Sequence, residues 1–123
     1  MKKAFFLFLI FTLFFGFEVT ARRQITLNQN GQLPGHSGIP FVPADMPDVY
    51  YDSDTEEIII DGTGYATYYD VDIISVSTGY VVLYDTVNGN YGTVDVSSLP
   101  DDDYTILITS SNNNEYEGSF TKD

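Results

Sequence analysis

The residues of this chain with chemical potential are few in kind: one histidine, no cysteine, many carboxylates and ten tyrosines. His36 sits in Pro34-Gly35-His36-Ser37-Gly38. Nucleophilic catalysis needs a serine, a histidine and an orienting carboxylate held within hydrogen-bond reach of one another. A glycine-rich connector fixes no such geometry, so His36 reads as an exposed loop residue. Carboxylates are so numerous that chance pairs are guaranteed, and glycoside hydrolysis needs two of them flanking a deep cleft. The chain is therefore expected to be non-enzymatic, with no catalytic residues.

Metal binding and aromatic contact are the chemistries left. Asp52-Ser53-Asp54-Thr55-Glu56-Glu57 places oxygen ligands at alternate positions, which makes Asp52, Asp54 and Glu56 the metal-ligand candidates. Asp101-Asp102-Asp103 adds a second cluster. Calcium takes six to eight oxygens, and an EF-hand loop has glycine at its sixth position and glutamate at its twelfth. Here those positions hold Glu57 and Thr63, so solvated turn acids are the first reading and calcium the second; no other cofactor is implied. Among the tyrosines, Tyr69 and Tyr104 fall on inner faces of alternating runs. Tyr68, Tyr80, Tyr84 and Tyr91 are the candidates for a glycan- or protein-binding surface. Tyr50, Tyr51, Tyr65 and Tyr116 complete a set too large to lie wholly inside a thin domain, and tyrosine is also a good strand former on a wet face.

The elements that position these residues begin after an export signal. Lys2 and Lys3 precede an apolar run of fourteen residues, Ala4–Phe17, and Val19-Thr20-Ala21 supplies small residues for cleavage after Ala21. That is the pattern of a secretory signal peptide, too short for a spanning helix of about twenty residues. The remainder, 123 − 21 = 102 residues, suits one domain. Without cysteine it has neither disulfides nor a lipid-anchored N-terminus. The expected location is the periplasm, outer-membrane surface or exterior of a bacterium. Arg22, Arg23 and Lys122 face seventeen acids, a net charge of 3 − 17 = −14, which excludes nucleic acid as a partner.

Three regions follow from the pattern: a signal at 1–21, a short strand and Pro/Gly-rich connector at 22–48, and a β domain at 49–123. Gln24–Leu27 alternates, with Ile25 and Leu27 on one face, and Pro34, Pro40, Pro43 and Pro47 then break all periodicity. Strands are expected at 49–52, 57–61, 66–75, 80–87, 93–97, 104–110 and 115–121. In 57–61, Ile58 and Ile60 take one face and Ile59 the other. The cleanest alternation sets Tyr69, Val71 and Ile73 against Tyr68, Asp70 and Asp72, one buried face and one wet. Ser77-Thr78-Gly79 makes 66–75 and 80–87 a hairpin; Asn88–Gly92 holds two overlapping turn signals and leaves the next register open. Leu99-Pro100 and Tyr104 form a corner that passes the chain between sheets, the tyrosine hydroxyl returning to backbone upstream. The fold is thus all-β: an immunoglobulin/fibronectin-III-like antiparallel sandwich of about seven strands. Strands 49–52, 57–61 and 93–97 form one sheet and the other four the second. An up-and-down barrel is the competing architecture.

In order, Arg23-Gln-Ile-Thr-Leu27, Ser37-Gly38-Ile39-Pro40, Ile58–Ile60, Val71-x-Ile73 before Gly79, Val81-Val82, Val94–Leu99, Tyr104-Thr-Ile-Leu-Ile108 and Tyr116-Glu-Gly-Ser-Phe120 resemble the small exported bacterial proteins of domain-of-unknown-function family 3244. His36 and Asp102-Asp103 depart from that pattern, which usually has a basic residue and a glycine there. The resemblance implies an immunoglobulin-like sandwich with no established activity to transfer. The C-terminal half is also similar to sorting domains of secreted bacterial proteins, which would make the chain an accessory module of a secreted hydrolase system. The leading expectation is an exported, non-enzymatic binding or structural protein of the cell envelope, contacting glycan or another envelope protein.

Overall fold

A computed structural model describes residues 21–29 and 43–123. Residues 1–20 of the signal segment and His36 lie outside the described residues. Among the described residues nine strands run in chain order: β1 Arg22–Ile25, β2 Asn28–Gln29, β3 Asp48–Asp52, β4 Glu57–Asp61, β5 Tyr68–Ser75, β6 Val81–Asn88, β7 Tyr91–Asp95, β8 Asp102–Ser110 and β9 Glu115–Lys122. They form two antiparallel sheets, ordered β1-β3-β4-β7 and β2-β9-β8-β5-β6. The expected division of strands between sheets therefore holds, and among the described residues the two sheets do not close into a barrel. Nine strands replace the expected seven because the 22–29 segment splits: β1 pairs with β3 in one sheet, and β2 pairs with β9 in the other.

Period-two alternation produces the core. Val71 and Ile73 from β5, Ile106 and Ile108 from β8, and Val49, Ile58, Ile60 and Val94 from the opposing sheet are completely buried. Tyr69, Tyr104 and Tyr116 are the largest fully buried side chains, taking the place tryptophan often holds in such a domain. Phe120 lies between two phenol rings, with centroids 5.1 Å from Tyr51 and 5.3 Å from Tyr104. Where the chain crosses from β1 to β2, Ile25 and Leu27 press onto β9 so closely that a Cβ on Gly118 would lie 2.6 Å from Ile25 Cγ2. Only glycine permits that approach.

Several boundaries move for identifiable reasons. β7 runs Tyr91–Asp95 rather than 93–97, because the Asp95 carboxylate accepts the Ser97 N–H at 2.9 Å and turns the chain out of the ladder. β8 starts at Asp102 rather than 104, since Asp102 and Asp103 still pair with Lys122 and Thr121. Ile59 does point away from Ile58 and Ile60, yet it too is buried, set between Tyr50 and Thr93 on the outer face. Asn88–Gly92 is no hairpin within one sheet: it carries the chain from β6 across to β7, with Gly89 at φ +81°.

Candidate functional site

The corner assigned to Leu99, Pro100 and Tyr104 is present. Leu99 N–H bonds Val96 O at 3.1 Å, and the Tyr104 hydroxyl donates to Pro100 O. Lys122 closes the same end of the sandwich, its buried ammonium donating to the carbonyls of Val96, Ser97 and Leu99 at 2.9, 3.2 and 2.6 Å. Glu56, at 3.9 Å, is its only ion-pair partner among the described residues. Burial, then the negative charges of Asp102 and Asp101, push the Tyr104 phenol up from its ordinary pKa.

A second buried charge lies at the other end of β8 and β9. Asp45, 3% exposed, accepts the Ser110 hydroxyl at 2.5 Å, the Tyr116 hydroxyl, and the amides of Asn112 and Asn114 at 3.1 Å or less. Its backbone oxygen accepts the Tyr69 hydroxyl at 2.9 Å. Burial pushes the Asp45 carboxyl up, but four neutral donors outweigh it and hold the pKa at about 2. Tyr116 is raised by burial and by its bond to this carboxylate. Asp45 therefore ties the Pro43–Pro47 stretch to the sandwich. Neither Asp45 nor Lys122 stands out in sequence. For Lys122 there was one usable signal, its place two residues beyond Phe120 on the inward parity of β9.

The proposed metal ligands are not gathered. Among the described residues no three carboxylate or histidine side chains cluster as a metal site. Asp52 Oδ1 caps its own turn, accepting the N–H groups of Asp54 and Thr55 at 3.0 and 3.3 Å, while Oδ2 lies 3.9 Å from Arg22. Asp54 is exposed, and Glu56 adopts φ +53° beside Lys122. In the second acidic run, Asp102 binds the hydroxyls of Ser75 and Ser77, and those bonds, Ser77 first, lower its pKa. Asp103 instead takes the Thr121 hydroxyl at 2.6 Å.

The four candidate binding tyrosines are all exposed but do not share one surface. Tyr68 and Tyr84 lie on the outer face of the five-stranded sheet, where register places Tyr84 beside Asp72 and Tyr68 beside Asn88. Tyr80 stands in the β5–β6 turn, and Tyr91 is on the four-stranded sheet opposite Asp61. Tyr51 and Tyr116, grouped by sequence with the surplus tyrosines, are core residues.

What the structure does gather is an apolar hairpin. Val76, Tyr80, Val81, Val82 and Tyr84 are 58%, 74%, 55%, 42% and 63% exposed, and all lie on the β5–β6 hairpin or its turn. Asp70 supports it from β5, accepting the hydroxyls of Tyr84 at 3.1 Å and Thr86 at 2.8 Å. By contrast, the grooves beside the β1–β2 crossing are open and modest. One of about 290 Å³ is lined by Gln24–Leu27 and Met46–Asp48, and one of about 240 Å³ lies over Thr105 and Gly118.

Two antiparallel sheets joined by a tyrosine corner define an immunoglobulin-like β-sandwich. A solved structure of this fold is similar over nearly its whole length: a domain-of-unknown-function 3244 family protein from Bacteroides vulgatus ATCC 8482, with a TM-score of 0.62 and 16% identity. The match covers 83% of this chain and 99% of that one. No protein-family model matches the sequence, and a search of curated proteins finds no match.

Proposed function

We propose that this chain is an exported, non-enzymatic binding module of the bacterial envelope that contacts another protein through its β5–β6 hairpin. One observation carries the reading: large apolar side chains are exposed together on a strand at the edge of a sheet. Edge strands usually hide or blunt such side chains, and exposed apolar patches mark contact sites. The scatter of the exposed tyrosines over both sheets favours this protein contact over a single aromatic platform for glycan. The leader-like Lys2–Ala21 segment supports export.

The test is site-specific photocrosslinking in the producing cell, after N-terminal sequencing of the processed chain. A crosslinker at Tyr80 or Val82 should yield a discrete adduct, and one at Tyr91 on the other sheet should not. Equal labelling from all three positions, or none, refutes the reading. A mature chain that does not begin near Arg22 refutes the export step. A glycan array on the processed chain should stay silent.

A further inference from the structure

We infer that β6 receives an extended, cationic segment of a partner protein as an added strand of the five-stranded sheet. This rests on the binding reading above and names the class of partner. Among the described residues β6 is the last strand of its sheet, and its eight residues give a long edge. The unpaired backbone groups of an edge strand are a template for a further strand, with alternate side chains supplying specificity.

Two features of β6 decide which strand fits. Between the pairs Ile73–Leu83 and Ile74–Val81, β6 holds one extra residue, Val82, so the edge is bulged. Asp85, paired with Val71, sits on the inner-face parity of β6 and is exposed. A bulge and an inward-placed charge both deter indiscriminate strand pairing. Among the described residues nothing on the sheet neutralises Asp85: Asp70 and Asp72, flanking its partner Val71, add negative charge on the outer face, and the only cation in the sheet's five strands is the buried Lys122, already held by three carbonyls. Like charges on neighbouring strands oppose pairing and opposite charges favour it. A second copy would bring another Asp85 and another strongly acidic body to the edge. A segment alternating Lys or Arg with apolar residues turns the same guard into an attraction, while its apolar side chains cover Val81 and Tyr84.

The probe is a capped peptide alternating Lys with Val and Thr, added to the processed chain, with amide hydrogen exchange read residue by residue. Exchange across Val81–Asn88 should slow by about ten-fold or more, and less so at high salt. A Glu-for-Lys peptide should not protect β6. Asp85→Lys, at an exposed position, should reverse that preference. A proline-broken peptide of equal charge that protects β6 equally well would reduce the effect to bulk attraction and overturn the inference. So would protection centred on β1, β2 or β7, or concentration-dependent protection without peptide, which would make a second copy the occupant. If crosslinking at Tyr80 succeeds while the cationic peptide fails, the binding module stands and the partner class falls.

Discussion

Replacing Asp45 by Asn tests the least expected feature of the molecule, a buried carboxylate whose partners among the described residues are all neutral donors. Its pKa falls from 3.8 to about 2 on folding. A drop of that size makes the ionised group contribute about 2–3 kcal/mol at neutral pH. The sign follows from proton binding: between pH 3.8 and about 2 the unfolded chain holds the proton and the folded chain does not. Stability from Asp45 is thus complete above the unfolded value and is lost as pH falls through the folded one. Asn keeps the shape but turns one oxygen into an amide donor, which faces the Asn114 and Tyr116 donors if it replaces Oδ1 and the Ser110, Asn112 and Asn114 donors if it replaces Oδ2. An unsatisfied buried donor costs about 1–3 kcal/mol, so Asp45→Asn should cost about 2–4 kcal/mol at pH 7. Urea unfolding from pH 7 to pH 2, followed by circular dichroism, measures both terms. The wild-type advantage should be flat down to about pH 4 and shrink below it. Comparing the two chains at each pH cancels the remaining acids. A loss under about 0.5 kcal/mol at pH 7, or an advantage that does not shrink in acid, refutes the reasoning.

Three further outcomes are expected. Tyr104→Phe should cost about 1–3 kcal/mol in urea unfolding, because the Pro100 carbonyl loses its donor; a loss of a few tenths would deny the corner its role. Burial raises the phenols of Tyr51, Tyr69, Tyr104 and Tyr116, so their stabilising contribution is complete below the unfolded value of 10.0 and is lost as pH rises above it. Alkaline titration followed by phenolate absorbance should show these four ionising with unfolding; ionisation of all ten phenols in a chain that remains folded would contradict this. Gly118→Ala drives a methyl against Ile25 and should cost about 1–3 kcal/mol. It should also speed tryptic cleavage at Arg22 and Arg23, and unchanged proteolysis would show that the β1–β2 crossing does not depend on this approach.

The sequence by itself determined which residues alternate, and therefore most of the sandwich. β5, β8 and β9 are legible because a half-buried strand writes its two faces into period two. The Leu99-Pro100 and Tyr104 spacing is equally local, four residues from donor to acceptor, which is why the corner and the division into sheets follow from it. The β1–β2 split was hidden because two very short edge strands leave no period to read. Asp45 was hidden for a different reason. Its segment has no periodicity, and its donors Ser110, Asn112, Asn114 and Tyr116 lie 65 to 71 residues away. Whether a carboxylate is solvated or buried depends on what other elements bring to it, which no local pattern encodes. The same limit governs the surface. Sequence could mark Tyr68, Tyr80, Tyr84 and Tyr91 as exposed, but only strand order and register decide which side chains share a face. The tertiary structure set Tyr91 apart on the other sheet and gathered Tyr80 and Tyr84 with Val76, Val81 and Val82 on the β5–β6 hairpin, whose outer strand β6 is the last of its sheet among the described residues.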